Sequence, residues 1–174
     1  MKRRTLLTAL SAAAGANAVR ATTGGIATPA GAAVAVGQTV PWPDMALLGG
    51  GRFGPAQAAG HAVVVVFWST TCPFCRRHNQ HVEKLHRAAM ALPGRRLRVL
   101  GVARETNADI VARYAQAQSY SFPITLNQPG LVELLSPRRV IPMTVTVDRQ
   151  GRLKQALAGE MFEEDLLELL QLAA

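Results

Sequence analysis

Cys72-Pro73-Phe74-Cys75 is the segment whose residue types and spacing carry chemistry. The chain has two cysteines, and both are here. They stand where a β-branched and aromatic run, Val63 to Trp68, passes through Ser69-Thr70-Thr71 into a helical pattern. Cys72 falls at the expected N-cap, where unpaired backbone N–H groups and the helix dipole favour thiolate over thiol. Pro73 falls at the first helical position, where a missing N–H costs nothing. Cys75 follows within the first turn, near enough to close a small disulfide ring. The pattern reads as an exchanging dithiol, in which Cys72 attacks a disulfide and Cys75 resolves the mixed disulfide. An inert stabilising disulfide is the plainer alternative, but so short a loop staples little chain.

The same stretch admits a metal reading. Cys72, Cys75, His78 and His81 run C-x2-C-x2-H-x2-H, a set of zinc-type ligands. On a helix each three-residue step drifts by about 60°, so His81 is expected to point away from Cys72. No stable metal site is expected. His78, His81 and His86 are read as solvated residues on the outer face of the helix, and His61 as a loop residue. A copper- or zinc-binding chaperone using the cysteine pair and a nearby histidine, tested at His78, is the alternative function.

A second feature is Val140-Ile141-Pro142-Met143-Thr144-Val145. A proline opening a strand points to an edge position or a cis bond. The residue before it could then offer backbone groups to an extended peptide. Around these two features the elements alternate. A helix is expected from Pro73 to about Leu92, with Val82, Leu85, Ala89 and Leu92 on one face. A strand follows over residues 97–102, then a helix capped by Asn107 and running to about Gln118. A short extended piece spans 124–126 and a short helix 129–135. Strands at 143–147 and 153–157 flank the turn Asp148-Arg149-Gln150-Gly151. A closing helix over 163–170 has an acidic start, Glu163-Glu164-Asp165. Residues 38–60, with Gly49-Gly50-Gly51 and Gly54-Pro55, are read as short strands and loops. The order β-α-β-α-(β)-α-β-β-α predicts an α/β fold, a mixed sheet with helices on both faces.

The N-terminus reads as an address. Lys2-Arg3-Arg4 precedes a mildly apolar stretch, Thr5 to Ala16, and Ala16-Asn17-Ala18 fits a signal-peptidase site. Residues 1–18 are therefore expected to be a signal peptide, of the general or twin-arginine kind. Residues 19–37 are read as a flexible lead-in outside the core, and residues 38–174 as the folded domain. The 174 residues are 49% apolar and 17% charged, a globular composition. The formal charge is +8, and +5 once residues 1–18 are set aside. That is too little for a dedicated nucleic-acid binder, and no run is long and apolar enough to span a membrane.

The segments Val63 to Arg77 (VVVVFWSTTCPFCRR) and Val140 to Leu153 (VIPMTVTVDRQGRL) resemble the thioredoxin superfamily. Within it, the chain is most similar to the exported TlpA/ResA/CcmG-type thiol-disulfide oxidoreductases, over about residues 37–172. The resemblance implies a thioredoxin-like fold with an N-terminal hairpin extension. It makes Cys72 the nucleophile, Cys75 the resolving thiol and Pro142 a cis residue facing the disulfide, with Ile141 presenting backbone to substrate. Trp68 matches the aromatic residue before the active-site turn. Trp68 and Phe74 complete the expected substrate-binding set. Thr71 stands where the family commonly has Trp, and Val66 where thioredoxins proper carry a buried Asp. A proton acceptor for Cys75 must then come from elsewhere. Glu105 lies where several exported relatives have a functional acidic residue, and is the candidate relay. The resemblance also implies a periplasmic monomer acting as a reductant on protein disulfides, apocytochrome c among them. It implies a membrane thiol carrier as electron donor, and no cofactor beyond the Cys72–Cys75 pair. A peroxidase reading is weaker, because the chain has no distant second cysteine.

Overall fold

The computed structural model describes residues 33–174 except Asn127. Its centre is β3 (Ala62–Trp68), every residue of which is buried. Such a strand needs apolar side chains on both faces, which the run Ala62-Val63-Val64-Val65-Val66-Phe67-Trp68 supplies. β4 (Leu97–Ala103) pairs parallel to β3 on one side, and β6 (Met143–Val147) antiparallel on the other. β5 (Ile124–Thr125) and β7 (Leu153–Ala158) complete a mixed five-stranded sheet in the order β5-β4-β3-β6-β7.

Two cores form on its faces. Val63, Val65, Phe67, Leu100, Val102, Val145 and Val147 pack under α4 (Pro129–Leu135) and the N-terminal segment. Val64, Val66, Trp68 and Val99 pack under α2 (Pro73–Ala91), α3 (Ala108–Ala117) and α5 (Glu163–Glu168). The expected helices, including Asn107 as the α3 cap through its side chain, are present. The closing helix differs in its last turns, which tighten to a 3₁₀ form over Leu169–Ala173.

The region before β3 holds a two-stranded hairpin, β1 (Met45–Ala46) and β2 (Arg52–Phe53). Its turn runs through Gly49, Gly50 and Gly51 at φ +84°, +107° and +84°, a left-handed path that side-chain-bearing residues rarely take. A four-residue helix, α1 (Pro55–Ala58), stands where the sequence suggested only a turn. The lead-in reading needs correction at Val34. Val34 is buried in the core, and its N–H donates to Leu134 O at 2.9 Å. The segment crosses α4 and then hydrogen-bonds to the start of β7, from Gly37 N to Leu153 O at 2.7 Å. Composition alone hides this, because a single valine supplies the contact. The signal-peptide expectation for residues 1–18 lies outside the described residues.

Candidate active site

β3 ends at Trp68, and the chain turns through Ser69, Thr70 and Thr71 into α2. The turn is tied by hydrogen bonds from Cys72 N to Ser69 O at 3.3 Å and from Thr71 N to Ser69 Oγ at 3.3 Å. Cys72 is the N-cap of α2, with Pro73 at the first helical position. Its Sγ accepts from Cys75 N at 3.2 Å, so a backbone donor of the helix start points at the sulfur. Both cysteines are free thiols, Cys72 partly accessible and Cys75 buried. Burial, together with a hydrogen bond and the charge of Cys72, pushes the Cys75 thiol up to about 12. The pair is thus an accessible outer sulfur over an inner one that keeps its proton.

The Ile141–Pro142 bond is cis. β6 is an internal strand between β3 and β7, so the edge option for Pro142 does not hold. The register pairs Phe67 with Met143, which brings Pro142 to the end of the sheet where Trp68 leads into the Cys72 turn. Ile141 is half-buried against both cores. Phe74 is 57% exposed, with the Arg77 guanidinium 5.0 Å above its ring.

Trp68 lies beneath the site, not on it. It is fully buried and packs against Tyr114 and Tyr120 at centroid distances of 5.8 and 5.9 Å. Its ring faces Gly101, where an added Cβ would stand 3.0 Å from Trp68 Nε1 and 2.7 Å from Phe122. Direct contact between Trp68 and a substrate is therefore excluded by burial. Its place is to support the turn from below.

Glu105 reaches the same turn from the end of β4. Its Oε1 accepts from Ser69 Oγ at 2.7 Å, Thr70 N at 2.7 Å and Thr70 Oγ1 at 2.8 Å. Burial would raise its carboxyl, but the hydrogen bonds from Ser69 and Thr70 outweigh burial and hold it below the ordinary range. Its Oε2 is buried with no hydrogen-bond partner. Glu105 therefore sits under the turn as a carboxylate with one engaged oxygen and one free.

His78 is the main correction. It is not a solvated residue on the outer face of the helix but fully buried. Met161 N donates to its Nδ1 at 3.1 Å, which leaves Nε2 to carry the proton and donate to Thr144 Oγ1 at 3.0 Å. Burial, then the nearby charge of His81, lowers its pKa to about 4, against the opposing pull of Glu160. The residue joins α2 to β6, two positions beyond Pro142, and to the loop after β7. That loop also meets Pro142, through Gly159 N donating to Pro142 O at 2.8 Å. The signal for His78 was present: it lies four residues before Val82 and three after Cys75, on the apolar stripe of α2. His81 is half-buried, and its Nδ1 meets Met161 O at 3.1 Å. His86 is also half-buried, and His61 is a loop residue just before β3. Both nitrogens of His78 are engaged, so the metal alternative loses the histidine on which it rested.

The comparisons with known proteins agree with this fold. The thiol-disulfide oxidoreductase ResA of Geobacillus kaustophilus is 27% identical over 134 residues, covering 77% of this chain and 75% of that protein. A thioredoxin-family thiol:disulfide interchange protein from Chlorobium tepidum superposes with a TM-score of 0.71 at 21% identity, over 81% of this chain and 99% of that one. A secreted Mycobacterium tuberculosis disulfide oxidoreductase, described as homologous to E. coli DsbE, gives 0.62 at 16% identity, over 75% and 95%. The family model for the AhpC/TSA family matches residues 36–157, well over half of the sequence. With a thioredoxin-like fold around its cysteine pair, the chain belongs to the AhpC/TSA family.

Proposed function

We propose that this protein is an extracytoplasmic thiol-disulfide oxidoreductase that reduces disulfides of protein partners through Cys72 and Cys75. The observation that carries the reading is the pairing of a partly accessible N-cap sulfur with a buried thiol held at about 12. Cys72, as thiolate, attacks one sulfur of the partner disulfide, and the partner's other sulfur leaves as thiolate. Part of what keeps the Cys75 proton in place is Cys72 itself, and that contribution ends when Cys72 enters the mixed disulfide. Cys75 then loses its proton and attacks Cys72 Sγ. The partner departs reduced, and the Cys72–Cys75 disulfide remains. Two electrons have passed to the partner, and a thiol donor at the membrane must return them. The cysteines of apocytochrome c before haem attachment are the finer client assignment, and a monomer in the periplasm its setting. The relatives named as thiol-disulfide oxidoreductases support the activity. Reduction of a protein disulfide by the wild type, with dithiothreitol as electron source, tests it. The Cys72→Ser variant is expected to fall to the rate of dithiothreitol alone; an undiminished rate contradicts the assignment.

Within the same reading, Glu105 takes the Cys75 proton through Oε2, its unpaired oxygen. Ile141, half-buried, and Phe74, exposed, form the surface the partner meets, next to the buried Pro142. A Glu105→Gln variant is expected to slow reduction at neutral pH on the order of 10²-fold, and to move the rate–pH profile to higher pH. An unchanged profile leaves Glu105 only as the brace of the Ser69–Thr70 turn.

A further inference from the structure

The donors around Cys72 are not spent equally. Arg77 is paired with Glu160 at 2.7 Å and covers Phe74. Arg76, one residue earlier, is exposed and has no carboxylate partner among the described residues. It stands four residues after Cys72 on α2, the spacing at which helix side chains are neighbours. Between them opens a cavity of about 380 Å³ whose wall is made by Tyr114 and Gln118 of the α3 end. Gln80 Nε2 donates to Gln118 Oε1 at 3.3 Å, which leaves the Gln118 amide nitrogen as a donor. No acidic side chain lines the cavity. Glu105, which does not line the cavity, has Oε1 already taken by Ser69 and by Thr70 of the cavity wall. Cys72, Arg76 and Tyr114 all line this one space. The wall thus offers a guanidinium, a phenol and an amide nitrogen beside Cys72, and no carboxylate.

We propose that this cavity beside Cys72 is a specificity pocket for a carboxylate, presented by an acidic residue next to the target cysteine of the partner protein. The proposal rests on the oxidoreductase reading and adds its substrate class. A carboxylate held by Arg76 fixes which side of the partner disulfide meets Cys72, and a lysine in the same place is repelled.

The test uses the full mature chain and three disulfide-linked peptides that differ only in the residue flanking cysteine: Asp, Asn or Lys. A small disulfide bearing carboxylates but no peptide is the fourth substrate. The wild type is expected to show kcat/KM for the Asp peptide roughly five- to tenfold above the Lys peptide, with Asn between. The small acid should gain less than the Asp peptide. In Arg76→Gln the Asp-to-Lys ratio is expected to fall towards one. In Arg96→Gln, which removes the same charge at the far end of β4, it should persist. Tyr114→Phe should reduce the ratio partway. These ratios are taken within each variant, so a change in folding or thiol reactivity cancels. A ratio unchanged in Arg76→Gln, or lost equally in Arg96→Gln, overturns the pocket. A gain for the small acid alone overturns the peptide assignment. Turnover of all peptides without preference overturns only this inference, whereas no turnover of any overturns the oxidoreductase reading as well.

Discussion

Replacing Cys75 with serine is expected to leave the protein bound to its partner. Cys72 keeps its place at the start of α2 and still attacks, but a serine hydroxyl cannot expel the partner from the mixed disulfide. Turnover should fall to background. A covalent adduct should accumulate, visible as a mass shift on a non-reducing gel and released by dithiothreitol. Cys75 is fully buried, so placing a hydroxyl there costs about 1–3 kcal/mol unless it finds a partner. The adduct is therefore to be read on protein whose circular dichroism shows it folded. Mass mapping should put the link on Cys72. A link formed without Cys72, or none at all from a folded variant, would remove the roles assigned to the two sulfurs.

The second large effect belongs to His78. Its ring is held neutral to about pH 4, well below the ordinary 6.5. The unfolded chain therefore binds a proton here at a pH where the folded chain does not. The resulting stability is complete above about 6.5 and is lost as the pH falls towards 4. The span corresponds to roughly 3 kcal/mol. The groups facing His78 are His81 on its own helix and Glu160 in the loop after β7, with Thr144 from β6. His86, lowered chiefly by burial, titrates in the same direction and is common to both proteins in the comparison. Urea unfolding between pH 7.5 and 4.5 should show a steep loss in the wild type. It should show a much shallower one in His78→Gln, which keeps a donor and an acceptor but cannot titrate. His78→Ala should lose about 3 kcal/mol at pH 7, because it opens a cavity and strands Thr144 and the Met161 N–H. Equal pH slopes in wild type and His78→Gln would contradict the buried, neutral assignment.

The features legible in the sequence are those set by neighbours along the chain. The unbroken apolar run of β3, the N-cap placement of Cys72, Pro73 after it, and the Asp148–Gly151 turn each need only a few consecutive residues. They appear in the structure within a residue or so of their expected places. What was not legible depends on contacts between distant elements. The stripe of α2 marks the side on which His78 lies, but its partners are not legible: Thr144 is 66 residues away and the Met161 loop 83. Trp68 reads as a substrate contact by position, yet Tyr114 and Tyr120 cover it. Val34 belongs to a segment whose composition is that of a linker, and only α4 makes it a core residue. Glu105 was singled out by position, but its bonds to Ser69 and Thr70 could not be read from residues 36 and 35 apart. Arg76 and Arg77 are indistinguishable as a basic pair, and Glu160 alone separates them.

The most direct test of the account is the equilibrium of the purified protein with graded glutathione buffers, read by alkylating the free thiols and weighing the protein. The account predicts a single reversible two-electron transition that joins Cys72 to Cys75 within one molecule. Its midpoint should lie more negative than about −200 mV, as a reductant requires. A midpoint near −120 mV, the range of a strong oxidant, or a failure of the two sulfurs to pair reversibly, would contradict it.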